Sequence, residues 1–154
     1  RAFNHIGPRQ SPAFVASSVA RQLALIEAGQ SPPELLVGNL EASRDLTDVR
    51  DTVRAYIGLA GKGRRGEVYN VCTGRAVVIR DLVDALVSRA RVQVAVVPDP
   101  SRYRPVDVPV VVGSHARLTA ETGWAPGIPL DRTLDDLLDW WRRQVAGSGA
   151  PQAG

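Results

Sequence analysis

The feature that most constrains the fold of this chain is an alternation of helical and strand-like segments, separated by glycine and proline. Apolar residues recur at helical spacing, whereas short segments rich in valine, tyrosine and leucine indicate strands. The predicted helices cover residues 11–29, 48–61, 79–90, 114–123 and 131–145, and the predicted strands cover residues 35–40, 67–72 and 92–97. This alternation favours an α/β fold.

Two of the helices have clear boundaries and an apolar face. The first is predicted from Ser11, as its N-cap, to Gly29, and the second from Asp48 to Gly61. An amphipathic helix is expected to bury its apolar face. These faces are Val15, Val19, Leu23 and Ile26 in the first helix, and Val49, Val53, Ile57 and Ala60 in the second.

Composition indicates a globular chain without a membrane span. Of its 154 residues, 44% are hydrophobic and 23% charged, and no apolar segment approaches the roughly 20 residues that cross a bilayer. The single Cys72 lies in an apolar segment and is predicted to be a buried, inert thiol. We therefore expect one domain over residues 1–146, a disordered tail over residues 147–154, and a cytoplasmic location.

The nucleotide-cofactor motif that the alternation suggests is missing. Gly58, Gly61 and Gly63 are spaced similarly, but they fall at a predicted helix C-terminus, where free carbonyls repel an anion. Lys62 is the only lysine, and the residue four positions before it is a glycine. The chain therefore cannot carry the Tyr-x-x-x-Lys pair that short-chain dehydrogenases use for proton transfer.

Five ordered motifs resemble the C-terminal half of extended short-chain dehydrogenases/reductases that act on nucleotide sugars. The closest resemblance is to the GDP-mannose 4,6-dehydratase and GDP-6-deoxy-4-keto-mannose reductase group, and it covers residues 1–143. Leu46, where the dehydratases usually have an aromatic residue, favours the reductase branch. The motifs are RAFNHIGPRQ, VGNLEASRDLTDVRD, GEVYNVCTG, RP-x-D and GW-x-P-x-I-PL-x-x-TL.

The resemblance implies an α/β chain that is incomplete without an upstream cofactor lobe. The last Rossmann strands would lie near residues 1–4 and 67–72, followed by a small mixed α/β substrate lobe. The cofactor glycines and the catalytic Tyr-Lys pair would lie upstream. The full-length parent is expected to be an NAD- or NADP-dependent enzyme and a possible homodimer, whereas this chain alone is expected to bind no cofactor and to be inactive.

Substrate contacts are what the resemblance carries over to this chain. Asn4 would face the sugar and diphosphate, the helix start at Phe14 and Val15 would contact the diphosphate, and Asp107 would accept a hydrogen bond from the ribose. Arg44 and Arg104 would face the phosphates. The strand residues Val37 to Asn39 would form the wall of the nucleobase site. Two guanidinium groups on one diphosphate also make sense physically, because arginine binds phosphate in a bidentate way.

Several of these residues have ordinary structural alternatives. Asn4 could cap the turn before Gly7 and Pro8, and Arg44 could form an exposed ion pair with Asp45. His5 lacks a nucleophile partner and is predicted to be structural. The tryptophans, Trp124, Trp140 and Trp141, are predicted to pack in cores rather than to stack on a sugar.

Two other functions remain open at this point. A noncatalytic nucleic-acid-binding module would explain the net charge of +3 and the basic residues 62–65, although the arginines are spread along the chain. A stand-alone nucleotide-sugar sensor would explain binding motifs without catalytic ones. A coding sequence upstream of Arg1 that contained a glycine-rich turn and Tyr-x-x-x-Lys would favour the enzyme fragment.

Overall fold

The structure is a computed structural model that describes residues 1–103 and 108–148. Within these residues, the chain forms six strands and five α-helices. They are β1 (Asn4–Ile6), α1 (Val15–Glu27), β2 (Glu34–Val37), β3 (Ser43–Asp48), α2 (Val49–Lys62), β4 (Ala76–Val78), α3 (Ile79–Val87), β5 (Ala95–Pro98), β6 (Val110–Val111), α4 (Ala116–Thr122) and α5 (Leu130–Ser148). A 3₁₀ helix, Pro100–Arg102, follows β5.

Strand β3 organises the larger sheet. Its second half pairs in parallel with β1, and its first half pairs with β4 in antiparallel and with β6 in parallel orientation. Strands β2 and β5 form a separate parallel pair. The prediction of a mixed α/β fold is therefore confirmed.

The main core is formed by one face of α1 against α3, α5 and the strands. Leu23, Leu82 and Leu138 are all essentially inaccessible to solvent, and burying one such side chain contributes about 1.5–3 kcal/mol. Polar contacts also join α1 to α5: the indole N–H of Trp141 donates to the Ser17 hydroxyl at 2.9 Å. That hydroxyl donates to the Gln10 carbonyl at 2.7 Å, which fixes the start of α1 against the core.

A smaller core lies under α2 and α4 and contains Tyr69, Leu118 and Trp124. Asp51, on the buried side of α2, accepts hydrogen bonds from the amides of Gly127 and Ile128 at 2.8 and 2.9 Å. These bonds attach the segment before α5 to α2. The packing role predicted for Trp124 and Trp141 is confirmed, since both are buried, and Trp140 packs partly against the main core.

The orientation of α2 differs from the sequence prediction. The expected apolar face is open: the side chains of Val53 and Ile57 are 49% and 69% exposed. The residues that α2 buries are instead Asp51, Thr52 and Ala55. Tertiary hydrogen bonds to polar residues, rather than the apolar pattern, decide which side of this helix faces the protein.

The beginning of α1 also differs from the sequence prediction, which placed the N-cap at Ser11. The helix begins at Val15 with Phe14 as N-cap, and the Ser11 hydroxyl accepts a hydrogen bond from the Ala13 amide instead of capping the helix. The end is as predicted, because Gly29 has a left-handed backbone, φ 69°, and donates its N–H to the Ile26 carbonyl.

Residues 67–72 do not form the regular strand that was predicted. Only an isolated parallel bridge joins Val71 to Ala2, with the Phe3 N–H donating to the Val71 carbonyl at 2.9 Å. Residues 1–3 contain only the bridge at Ala2, and β1 begins at Asn4. At the other end of the chain, α5 continues through residues 147 and 148, which were predicted to belong to the tail; residues 149–154 lie outside the described part.

Candidate functional site

Two adjoining cavities meet between the start of α1 and strand β3, and together they form a cleft. The larger cavity, about 920 Å³, extends along β1 and the turn that follows it. The smaller cavity, about 580 Å³, extends towards the end of β2 and the 3₁₀ helix. The residues that line both cavities, here called the junction, are Asn4, Phe14, Val15, Arg44 and Ile79.

The N-terminus of α1 opens into the junction without a side-chain cap. Phe14, the N-cap residue, has an extended backbone, and its side chain makes no capping hydrogen bond to any described residue. The first turn of α1 contains no acidic residue. The first amides of a helix have no intrahelical acceptor and carry a partial positive charge. This helix start is therefore suited to binding an anion.

Arg44 brings a full positive charge to the same place. One of its Nη atoms donates to the carbonyls of Ser43 and Pro109, at 2.7 and 3.3 Å. Within residues 1–103 and 108–148, no carboxylate lies within ion-pair distance of this guanidinium. The ion pair with Asp45 considered above is therefore absent from the described residues.

Asp45 explains why Arg44 faces the cleft. Successive side chains of a strand point to opposite sides of the sheet, and Asp45 is completely buried on the other side. Its carboxylate accepts hydrogen bonds from the Thr73 amide and hydroxyl, both at 2.7 Å, and from the Gly74 amide at 2.9 Å. Because these bonds fix β3, they also hold Arg44 at the junction.

Asn4 lies on β1, opposite Leu46 of β3, and its exposed side chain lines both cavities. The turn after β1 is closed without it: the Gln10 side-chain amide donates to the His5 carbonyl at 2.8 Å. Among the described residues, the Asn4 carboxamide forms no turn-capping hydrogen bond. Its position is thus consistent with a ligand contact.

The end of β2 forms one wall of the smaller cavity. Val37 is buried, and the carboxamide oxygen of Asn39 accepts a hydrogen bond from the Glu41 amide at 2.9 Å. Between them, Gly38 allows close contact with the 3₁₀ helix, since a Cβ on Gly38 would lie 2.3 Å from the carbonyl oxygen of Arg102. The glycine that interrupts this predicted strand therefore has a packing reason.

Six of the eight predicted site residues thus surround one cleft, and their binding roles remain predictions. The other two, Arg104 and Asp107, lie outside the described residues. Two cleft arginines were not selected from the sequence: Arg102, in the smaller cavity, and Arg9, in the larger one. Arg102 shares a proline-rich loop with Arg104, and only the motif match favoured the latter. Arg9 has φ 72°, which sequence does not reveal.

Of the other candidate reactive groups, Cys72 is buried and His115 makes packing contacts, whereas His5 is exposed in the larger cavity. Burial raises the pKa of the Cys72 thiol, as expected for an inert buried cysteine. His5 lies in the larger cavity with Nδ1 3.4 Å from the Phe3 carbonyl. His115 packs edge-on against Trp124, and its Nδ1 lies 2.8 Å from the Thr119 hydroxyl.

Elsewhere, the arginines are mostly neutralised by carboxylates. Arg50, for example, contacts Asp48 and Asp136, and Arg89 contacts Asp131 and Asp135. A basic stripe that follows a nucleic-acid backbone requires unpaired charges on one face. These ion pairs give the nucleic-acid hypothesis no support. Among the described helices, none is both long and apolar enough to cross a membrane.

Comparison with known protein families identifies the chain. The family described as GDP-mannose 4,6 dehydratase matches residues 1–137. The chain belongs to this family. Its residues correspond to the C-terminal half of an extended short-chain dehydrogenase/reductase, as the five motifs predicted.

The chain spans about half the length, or less, of the relatives that it matches. It is 43% identical to GDP-6-deoxy-D-mannose reductase of Pseudomonas aeruginosa over 145 aligned residues. The aligned region covers 94% of this chain and 48% of the reductase. Its structure resembles that of RMD from Pseudomonas aeruginosa complexed with NADPH, with a TM-score of 0.87 and 42% identity over 94% of this chain and 48% of that one. It also resembles MoeE5 in complex with UDP-glucuronic acid and NAD, with a TM-score of 0.77 and 26% identity over 94% of this chain and 46% of that one.

Proposed function

We propose that this chain is the nucleotide-sugar-binding half of an NAD(P)-dependent sugar-nucleotide reductase or dehydratase, with a GDP-sugar as the preferred ligand. The observation that carries the proposal is the junction, where the uncapped start of α1 and the guanidinium of Arg44 meet between two cavities. A ligand with an anionic centre and an uncharged group at each end fits this arrangement, and a nucleotide sugar has that form.

The diphosphate would bind at the junction. A diphosphate diester carries about two negative charges, and Arg44 and the first amides of α1 supply donors for its oxygens. A hydrogen bond to a charged group contributes about 1.5–3 kcal/mol. By resemblance, Arg104 would supply a second guanidinium and Asp107 would accept from the ribose.

The sugar would extend into the larger cavity, past Asn4. A carboxamide can donate to a phosphate oxygen and accept from a sugar hydroxyl, so Asn4 suits the boundary between the two. The nucleoside would then occupy the smaller cavity, against Val37 and Asn39. This orientation places the reacting end of the ligand beside β1.

The residues of this chain do not fit a dinucleotide cofactor site by themselves. The cofactor would supply or accept a hydride when bound, but its pyrophosphate needs a glycine-rich turn that opens a helix. Here Gly61 and Gly63 lie at the C-terminal end of α2, where the Gly63 N–H donates to the Leu59 carbonyl. Together with the missing Tyr-Lys pair, this arrangement supports cofactor binding and proton transfer by residues outside this chain.

Calorimetric titration with GDP-mannose tests the proposal. We expect one site per chain, a loss of affinity of at least about 10-fold for Arg44→Ala, and a smaller loss for Arg44→Lys, which keeps the charge but not the fork of donors. Arg143→Ala, an exposed arginine on α5 away from the cleft, is the matched control and should bind like the unchanged protein. An absence of binding, or equal affinities for the Arg44 and Arg143 variants, would contradict it.

A further inference from the structure

The smaller cavity contains a second arginine, Arg102, which does not line the larger cavity. Arg44 lines both cavities, whereas Arg102 lines only the smaller one, beside Gly38 and Asn39. If the diphosphate lies at Arg44 and the sugar lies in the larger cavity, the group next to Arg102 is the nucleobase. This step rests on the proposed function.

The position of the Arg102 guanidinium is fixed from two sides. Its Nε donates to the Asp99 carboxylate at 3.1 Å, and its Nη1 lies 3.4 Å from the Ser18 hydroxyl of α1. Asp99 also caps the 3₁₀ helix by accepting from the Ser101 amide at 2.9 Å. Hydrogen bonds from Ser101, followed by the contact with Arg102, hold the pKa of Asp99 below its ordinary value. The carboxylate that orients the guanidinium is therefore ionised at neutral pH.

The backbone of Arg102 is held equally closely. The Asp99 amide donates to the Val37 carbonyl at 2.8 Å, which joins the loop to the end of β2. The contact between Gly38 and the Arg102 carbonyl described above leaves no room for a side chain at residue 38. The arginine is thus positioned before any ligand binds, which lowers the entropic cost of using it for recognition.

Among residues 1–103 and 108–148, three N–H groups of Arg102 have no acceptor. A guanidinium has five N–H donors, and the contacts with Asp99 and Ser18 use two of them. We propose that Arg102 recognises the nucleobase and selects guanine. Guanine presents two adjacent acceptors, N7 and O6, which match a guanidinium in a bidentate pair.

The same chemistry disfavours other bases. Adenine replaces O6 with an amino group, so a donor of the base would face a donor of the protein. Uracil offers a single acceptor, O4, on the corresponding edge. The expected order of affinity for nucleoside diphosphates is therefore GDP, then UDP, then ADP, with roughly 10- to 100-fold between GDP and ADP.

Parallel calorimetric titrations with GDP, UDP and ADP test this inference. Arg102→Ala should reduce the preference for GDP over ADP by about 10-fold or more while changing the affinity for ADP by less than about 3-fold. Arg102→Lys keeps the charge and should still lose most of the preference, since it lacks the planar pair of donors. Arg132→Ala, which removes an arginine that pairs with Asp136 on α5, is the matched control and should leave the preference unchanged.

The outcomes separate this inference from the proposed function. An equal loss of affinity for all three nucleotides in Arg102→Ala would show general charge attraction, and an unchanged GDP to ADP ratio would show no role; either result overturns the inference. Binding that depends on Arg44 but not on Arg102 would leave the proposed function intact. If the unchanged protein bound no nucleoside diphosphate, both the inference about Arg102 and the proposed function would be wrong. Thermal melts of each variant check that the fold is retained.

Discussion

Helices α1 and α2 have similar amphipathic patterns but opposite relationships to the protein. Helix α1 buries its predicted apolar face, including Val19 and Leu23, in the main core. Helix α2 exposes its apolar face and buries Asp51 and Thr52 instead. The comparison shows that apolar spacing defines a face, whereas the neighbours of a helix decide which face packs.

Polar contacts account for the difference. On α2, the carboxylate of Asp51 accepts hydrogen bonds from two backbone amides. The backbone carbonyl of Asp51 accepts a hydrogen bond from the indole N–H of Trp124 at 2.9 Å. On α1, the neighbours are the apolar faces of α3 and α5. A buried carboxylate with several donors is stable where an unpaired one would not be, so hydrogen bonds over long sequence distances can override the pattern.

The largest expected effect comes from the buried face of α1. Leu23→Ala should lower the free energy of unfolding by about 2–5 kcal/mol, because it removes fully buried methyl groups and leaves a cavity. Urea denaturation monitored by tryptophan fluorescence would measure this loss. A change below 1 kcal/mol would mean that α1 is not packed as described.

The buried polar face of α2 should be the next most sensitive. Asp51→Ala leaves the amides of Gly127 and Ile128 without their acceptor, at a cost of about 1–3 kcal/mol. Asp81→Ala, which changes an exposed carboxylate in the first turn of α3, is a control in the same denaturation assay. Equal losses for the two variants would contradict an anchoring role of Asp51.

A pH-dependent contact at the end of α1 should have a smaller effect. A hydrogen bond from Arg142 of α5 holds the pKa of Glu27 below its ordinary value of 4.5. A carboxylate with a lowered folded-state pKa stabilises the fold fully above the unfolded pKa and loses that contribution as the pH falls through the folded one. The loss should therefore begin near pH 4.5 and continue below it.

Glu27→Gln measures this contribution. The variant should be less stable than the unchanged protein at pH 7, and the difference in urea midpoint should shrink as the pH falls below about 4.5, since each pKa unit corresponds to about 1.4 kcal/mol. A midpoint difference that stayed constant between pH 7 and pH 3 would exclude this linkage.

The smallest effect is expected on the open face of α2. Ile57→Lys should change the free energy of unfolding by less than about 0.5 kcal/mol, because the side chain is largely exposed. Ala55→Lys, on the buried side of the same helix, is the matched comparison and should be strongly destabilising. If Ile57→Lys cost more than about 1.5 kcal/mol, the face would be covered in solution.

The same contrast explains which parts of the fold the sequence predicted. The ends of α1 and α4 at Gly29 and Gly123 were predictable, because glycine adopts the left-handed backbone that closes a helix. Strand β3 was not predicted, although it is central to the larger sheet. Its sequence, SRDLTD, is polar, and donors from residues 50, 73, 74, 113 and 133 satisfy its two buried carboxylates.

The site was predictable to the extent that short motifs mark it. Asn4, Phe14 and Arg44 are distant in sequence, yet they meet at one junction, and motif order was the only signal that linked them. Arg102 was not selected because the RP-x-D motif favoured Arg104 in the same loop, and the contacts of Arg102 with Asp99 and Ser18 depend on the fold. Such contacts follow from the packing of the loop against α1 and cannot be read from residue types.

The most direct test of the central claim is a crystal structure of this chain with GDP-mannose. The account predicts that the diphosphate lies at the junction, with at least one of its oxygens within about 3 Å of an Arg44 Nη atom and another facing the first amides of α1. A diphosphate bound elsewhere on the chain, with Arg44 contacting only the carbonyls of Ser43 and Pro109, would contradict it.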